Sequence, residues 1–448
     1  MSAEDTEVVV PRWSTRRRFL AVLLLITLAA VAGRSAYVLT VTRHQAELYG
    51  DQIAYARQAE TLAAGEGFRD PFIEDRTVPN ADHPPLTAVL AAPAYLLTDS
   101  RSAGNTAARL VMALVGGVTV FFAGLAGRRV AANVEVDPDS APAARVGWTA
   151  AALAAVLPGI WIHDGLIMSE GPGAATVAVL LWAAVRHLDR PSARRIAAVG
   201  AALGLAVLAR SEAALLVPLL LVPLAFTRRG DRADRRWSAA VPWSAAAAVG
   251  LGLVIGPWVG ANLVRFEQPV TLSTNDGSTL VGSNCAEAYH GSTTGLWVLS
   301  CVMAHSDPDA LDASVNAKTF RAAGIRYIRR HLGDQPRVMT VRVLRTWSLW
   351  SPRQEVYLNS GEGDEQWVSW AAIIGAWLTM ALGVMGFVVL RRRDRPVWPL
   401  AGNLVAVTVT SAAFYGLARF RIGADVALLV GAAVAVEAAF RRITSRTG

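Results

Sequence analysis

The chain has 448 residues, of which 53% are hydrophobic and only 17% charged, with a mean hydropathy of +0.36. Soluble domains carry about 25% charged residues, so a soluble enzyme is excluded. The net charge of +8 does not call for a nucleic-acid partner, because the placement of the arginines accounts for it.

Apolar runs of about 20 residues, the length that crosses roughly 30 Å of hydrocarbon, recur along the chain. Ten spans are expected, at 19–41, 105–126, 147–163, 171–187, 195–210, 212–227, 240–262, 369–390, 397–416 and 424–440. The fold class is therefore an all-α polytopic membrane protein. With the N-terminus in the cytoplasm, six arginine groups fall on the cytoplasmic side: Arg16 to Arg18, Arg128-Arg129, Arg186 to Arg195, Arg228 to Arg236, Arg391 to Arg395, and Arg441 to Arg446. The positive-inside rule asks for this. It gives a multi-pass plasma (inner) membrane protein with both termini cytoplasmic. The expected division is a cytoplasmic segment 1–18, a membrane core 19–262 containing an outer loop 42–104, a second outer loop 263–368, C-terminal spans 369–440 and a cytoplasmic tail 441–448.

TRRRFL, at 15–20, has the form of an export signal. The apolar run behind it is too long for one and reads as an uncleaved first span. Arg34 lies near the outer end of that span, against the charge rule.

The stretch from Tyr49 to Leu86 is an acidic island in a basic protein, with eight acids against four arginines between Arg43 and Asp82. Apolar positions at Ile53, Ala56, Ala59, Leu62 and Ala63 predict a helix with Asp51 at or near its N-cap. Asp is a favoured cap, so capping competes with chemistry at Asp51; Tyr55 lies one turn on, on the same face. His83 precedes Pro84-Pro85, residues suited to a first helical turn. The apolar stretch 84–97 is too short for a span and is expected to lie along the membrane surface.

Asp164 and Glu170 interrupt apolar sequence in IWIHDGLIMSEGPG, and ionisable groups near membrane depth are costly and usually functional. LARSE places Arg210 beside Glu212 at an outer hairpin, and YGLARFR places Arg419 and Arg421 at another. Outward arginines need an anion: Glu212 for Arg210, or a phosphate, which arginine's rigid fork of donors matches. Asp51, Glu170 and Asp164 also offer a set that could converge on a divalent cation, which the chemistry does not need if arginine neutralises the phosphate.

Cys285 and Cys301 lie in the second outer loop, where disulfides persist. A bridge there would close a loop of about 15 residues, worth roughly 3 kcal/mol; the alternative is two free thiols. Too few Cys and His surround them for a zinc site. Their setting, NCAEAYHGSTTGLWVLSC, is turn chemistry. Residues 306–345 are amphipathic and helical, with Phe320, Ile325, Tyr327, Ile328, Leu332 and Val338 among polar residues. No internal repeat is evident.

GDQIAYARQAETLAAGEGF followed by HPPL resembles the first outer loop of the GT-C glycosyltransferases. The resemblance is to the polyprenyl- or dolichyl-phosphate-mannose protein mannosyltransferase branch, and more distantly to the lipid A aminoarabinose transferase. IMSE, LARSE and the NC…YHG…GLW…C loop resemble that branch in its actinobacterial form. The resemblance implies an extracytoplasmic active site that takes a sugar from a polyprenyl-phosphate carrier, with Asp51 as general base on the acceptor hydroxyl. Two positions depart from the pattern. Gln52 stands where many relatives have a second acid, and Thr87-Ala88 follow HPPL where protein mannosyltransferases often have Gly-Lys, which puts a protein acceptor in doubt.

Inverting transfer needs a base on the acceptor and stabilisation of the departing phosphate. Asp51 supplies the first, with Glu170 in support. Arg210, with Arg419 or Arg421 and Arg34, supplies the second, while His83 and Tyr55 position substrate; Asp164 and Glu212 are supporting groups. The donor sugar is of mannose or arabinofuranose type, and the acceptor a glycan, glycolipid or protein of the cell envelope. The competing expectations are a transporter or lipid flippase, which would show repeats and broken spans around a midplane site, and a non-catalytic assembly partner.

Overall fold

A computed structural model of the chain describes residues 12–44, 48–73, 78–132, 137, 139–227, 236–361 and 365–447. Most of the Arg228 to Arg236 cluster, the start of the segment 1–18 and the Arg446 side chain lie outside the described residues. Among the described residues the secondary structure is helical, apart from a single bridge between Arg69 and Pro79.

In chain order, α1 (Arg12–Thr40) leads to a first long loop carrying α2 (Asp51–Ala63) and α3 (Leu86–Leu96). Then come α4 (Arg101–Ala131), α5 (Ala141–Val156), α6 (Pro158–Trp161), α7 (Glu170–Asp189) and α8 (Ala193–Ala209). After α9 (Val222–Phe226) and α10 (Arg236–Arg265), the second long loop folds as α11 (Asn275–Gly282), α12 (Ala286–Tyr289), α13 (Leu299–Met303), α14 (Ala313–Arg330), α15 (Gln335–Thr346) and α16 (Pro352–Ser360). The chain closes with α17 (Gln366–Arg392), α18 (Trp398–Ala413) and α19 (Ile422–Thr447).

Among the described residues, five helices are long and apolar enough to cross a membrane: Thr15–Thr40, Arg101–Ala131, Val241–Arg265, Gln366–Arg392 and Ala418–Ser445. A bent pair, Ala141–Val156 with Pro158–Gly165, makes a sixth if it counts as one span. The ten expected spans all carry helix, but length and composition qualify fewer of them. Two breaks have a proline cause. The expected span 147–163 bends by 67° where Pro158 forces Leu157 into an extended conformation (ψ 118°). The expected span 212–227 is interrupted by Pro218 and Pro223 and folds as a 3₁₀ turn Ser211–Leu215, a π turn Val217–Leu221 and α9. The stretch 84–97 forms the short α3, packed on α2 and α4. Residues 306–345 form α14 and α15, broken at His331; Phe320 and Val338 are buried, whereas Ile325 and Leu332 are exposed.

Small residues let the helices approach closely. Ala123, Ala126, Ala150, Ala151, Ala178, Ala427 and Ala433 are all buried in the main core, where α1, α4, α5, α7 and α19 meet. The two ends of this bundle differ in charge. At one end Arg129 and Arg395 both pair with Asp189, Arg128 pairs with Asp139, and Arg145 and Arg441 grip Glu437. At the other end of the same helices lie Glu170, which opens α7, Arg210, which follows α8, and Arg419, which precedes α19. The 20 residues of α7 separate these ends by about 30 Å at 1.5 Å per residue.

Cys285 and Cys301 are joined in a disulfide (Cα–Cα 6.3 Å) that ties the start of α12 to α13, which excludes the free-thiol alternative.

Candidate active site

The second end of the bundle encloses a cavity of about 580 Å³. Asp51, Tyr55, His83, Glu170, Arg210, Glu212 and Arg419 all line it, although their positions in the chain span more than 360 residues.

Asp51 is the first residue of α2 and does not cap it. The cap position belongs to Gly50, whose φ of 54° is accessible to glycine at little cost. No side chain caps this helix, so the Asp51 carboxylate is available to the cavity, where it is 37% exposed. Its Oδ2 accepts from Arg419 Nη2 at 2.9 Å, and His83 Nε2 lies 3.9 Å from its Oδ1. Burial opposes charge on Asp51, but Arg419 and His83 outweigh it and hold the carboxyl below the ordinary carboxylate value.

Glu170 anchors both arginines. It is 1% exposed, and its Oε1 lies 2.7 Å from Arg210 Nη1 and 3.8 Å from Arg419 Nε. Arg210 also donates to Ser169 Oγ at 3.0 Å and, through Nε, to Glu212 at 2.5 Å, with its guanidinium 5.3 Å from the Phe420 ring centre. It can lie against α7 because residue 173 is glycine: a Cβ there would fall 2.9 Å from Arg210 Cδ.

His83 sits between two carboxylates, with Nδ1 3.0 Å from Asp82 Oδ2. The Tyr55 ring packs on its imidazole, centroids 4.7 Å apart. Burial and the neighbouring Asp51 charge push the Tyr55 phenol above its ordinary value, so it stays protonated. The segment holding His83 is pinned through its backbone carbonyls, which accept from Thr274 N (to Ala81 O, 2.8 Å), from Ser273 Oγ (to Asp82 O, 2.6 Å) and from the Arg265 guanidinium (to Phe68 O and Asn80 O).

Three residues expected at this site lie elsewhere. Arg34 is buried and donates to Asp164 at 2.6 Å and to Ala154 O at 2.9 Å. Arg421 is buried and pairs with Asp425 one turn along α19, also donating to Thr346 O and Ser348 Oγ. Both arginines neutralise internal carboxylates and do not line the cavity, and Asp164 serves Arg34. The possible cation set of Asp51, Glu170 and Asp164 therefore does not converge: Arg419 stands between the first two and the third is elsewhere, so these carboxylates do not fit a divalent ion. Among the described residues one group has metal-ligand spacing, Cys285, Glu287 and Cys301, and its two sulfurs are bonded to each other.

Gln52 is buried, and its Oε1 accepts from Ile167 N at 3.3 Å. Gln52 thus ties α2 to the loop before α7. Asp82, Ser169, Tyr415 and Phe420 also line the cavity and were not expected there. Asp82 is adjacent to His83 and acidic, a signal that was readable; the others carry none outside the fold.

The remaining lining gives the cavity two further characters. Ala214, Leu215, Val409, Ala413 and Phe414 are apolar and lie on the turn after α8, on α18 and just beyond it. Asn275, Asp276, Thr279 and Arg321 are polar and come from α11 and α14, with Arg321 bonding both Asp276 oxygens at 2.8 Å.

Residues 82–259 match the family described as dolichyl-phosphate-mannose-protein mannosyltransferase. No curated protein sequence matches the chain. Among solved structures, the oligosaccharyltransferase of Archaeoglobus fulgidus with zinc and sulfate aligns with a TM-score of 0.53 at 18% identity, covering 95% of this chain and 50% of that one. The archaeal oligosaccharyltransferase AglB of the same organism, with an inhibitory peptide and dolichol-phosphate, aligns with a TM-score of 0.50 at 16% identity, covering 97% and 52%. The chain thus spans about half the length of the structures it resembles. The chain therefore shares the fold of these oligosaccharyltransferases, and its segment 82–259 is similar to the mannosyltransferase family.

Proposed function

We propose that the chain transfers a sugar, of mannose or arabinofuranose type, from a polyprenyl-phosphate carrier to a hydroxyl of a cell-envelope acceptor, on the extracytoplasmic side of the plasma membrane. The observation that carries this reading is a carboxylate that caps nothing, Asp51, facing one cavity with two arginines held by a buried glutamate.

Asp51 takes the proton of the acceptor hydroxyl as its oxygen attacks the anomeric carbon. The bond from that carbon to the phosphate oxygen breaks, and the carrier phosphate leaves with the electron pair, inverting the configuration. Arg210 and Arg419 offer guanidinium forks to the growing phosphate charge. Glu170 keeps both in place and does not itself touch the acceptor. The apolar lining from Leu215 to Phe414 suits the carrier chain, and the polar wall of α11 and α14 suits a hydroxyl-rich acceptor. The match over 82–259 to mannosyltransferases and the fold shared with a protein solved with dolichol-phosphate support this reading.

Mass spectrometry of lipid co-purified with the protein tests the donor: a polyprenyl-phosphate sugar is expected, and a carrier without sugar, accompanied by transport and no glycosyl product, favours a flippase instead. Asp51→Asn should cut transfer by about 100-fold or more, the scale of a positioned general base. Unchanged transfer by a folded variant removes Asp51 from the mechanism.

A further inference from the structure

We propose that Arg342 and Ser348, both in the second long loop, position the turn that carries Arg419 for the carrier phosphate. The inference rests on the reading of Arg419 as a phosphate ligand and of Asp51 as the base.

Between the end of α18 at Ala413 and the start of α19 at Ile422, the chain runs through an irregular stretch and a short 3₁₀ turn, Ala418–Arg421. Tyr415, Arg419 and Phe420 of this stretch line the cavity. Arg419 meets Asp51 at 2.9 Å, a contact that must loosen when a phosphate takes the guanidinium, so it cannot be what holds the turn. The holding contacts come from α15 and its neighbours in the second long loop. Arg342, 1% exposed, donates through Nη1 to Ala412 O at 3.2 Å and Ala413 O at 3.4 Å, and through Nη2 to Ser283 O and, at 3.1 Å, to Asn284 Oδ1. One guanidinium thus joins the end of α18 to the end of α11. It satisfies carbonyls that the last turn of a helix leaves without a partner, and its charge suits that helix end. Further along, Gly416 N donates to Gly295 O at 2.9 Å, and Arg345 fastens the Thr294 and Ser292 carbonyls beside Gly295 to α15 at 2.7 and 2.9 Å. Gly416 lies so close to α15 that a Cβ would fall 2.1 Å from Arg342 O.

The far end of the turn is fixed by Arg421, which donates to Thr346 O at 3.0 Å and to Ser348 Oγ at 2.8 Å. Ser348 has a left-handed backbone, φ 56°. Its hydroxyl donates to Glu355 Oε1 at 2.9 Å and its carbonyl accepts from Trp377 Nε1 at 3.2 Å. Arg419 lies between these two fixed ends, so slack at either reaches it. A guanidinium fork on a phosphate is directional, and a misplacement of about 1 Å is enough to cost much of the rate. The same displacement acts on Asp51. Burial raises the proton affinity of its carboxyl, but Arg419, His83 and Arg210 outweigh burial and hold it below the ordinary carboxylate value. Tyr55 and Tyr415 are the other titratable groups beside it. With Arg419 drawn away, the Asp51 carboxyl moves up. The base works ionised, so the acid limb of kcat/KM moves to higher pH.

Double-mutant cycles on the full-length protein test this, because residues that act through Arg419 lose their effect once Arg419 is gone. The donor is polyprenyl-phosphate-mannose, or the arabinofuranose analogue, and release of polyprenyl phosphate is the readout. Arg342→Gln should lower kcat/KM for the donor about tenfold, and Ser348→Gly several-fold, and both should move the acid limb to higher pH. In an Arg419→Gln background, itself impaired, either change should cost less than about a further twofold and leave the limb where Arg419→Gln put it. Ser348→Gly removes the hydroxyl while accepting the left-handed backbone without a Cβ, so it decides the question should Arg342→Gln fail to fold. Losses that multiply in the double variants overturn the positioning role and leave the glycosyl-transfer reading standing. A Ser348→Gly protein with wild-type kcat/KM and an unmoved acid limb does the same. An Arg419→Gln protein with wild-type kcat/KM overturns the reading of Arg419 as a phosphate ligand, and this inference with it.

Discussion

Asp51 shows how one glycine decides a neighbour's occupation. The cap position belongs to Gly50 at φ 54°, so the Asp51 carboxylate, one residue further on, meets Arg419 and His83. Arg419→Lys replaces a fork that reaches both Asp51 and Glu170 with a point charge. It should lower kcat/KM about tenfold or more, chiefly through donor affinity, and steady-state kinetics with donor and acceptor varied separately will show it. At this scale the sequence is legible where composition is anomalous. Asp51, Glu170, Arg210 and Arg419 stand out as charges in apolar surroundings, and the fold gathers them. Arg34 and Arg421 stand out equally and are structural. Arg34 finds Asp164 at a separation of 130 residues, which no local pattern reveals. Arg421 finds Asp425 four residues on, a helical spacing that was readable.

At the scale of elements, proline and glycine set where helices end and how closely they pack. The two apolar stretches that fail to run as straight helices contain Pro158, and Pro218 with Pro223; hydropathy averaging hides these breaks because proline costs little in a mean. Gly173 shows the opposite case, a residue whose lack of a side chain makes room for Arg210. Gly173→Ala should displace the guanidinium and weaken donor binding several-fold. Helix propensity by itself favours alanine by up to about 1 kcal/mol, so thermal stability should hold while binding falls. A scanning calorimetry trace together with a donor titration separates these effects. The disulfide acts on the second long loop alone. Replacing Cys285 and Cys301 by serine should destabilise that subdomain by roughly 3 kcal/mol on the chain-entropy scale, seen as earlier proteolysis within 275–360 while the helix bundle stays intact.

The whole molecule is asymmetric along its helices, with arginine clusters at one end and the cavity at the other. The sequence anticipates this arrangement because the charge rule acts on short loops, which are local. The number of full crossings is less legible, since helices such as α8 and α18 lie at the short limit of a span. A cysteine placed at Glu66 and one at Arg190 should react with a membrane-impermeant maleimide from opposite sides, Glu66→Cys from outside intact cells and Arg190→Cys after permeabilisation. Labelling of both from one side overturns the sidedness proposed for the cavity. The bridge between Cys285 and Cys301 makes that experiment unusually clean. Both native sulfurs are tied up in one covalent link, so the unaltered protein is a silent background on which any single introduced thiol reports its own location.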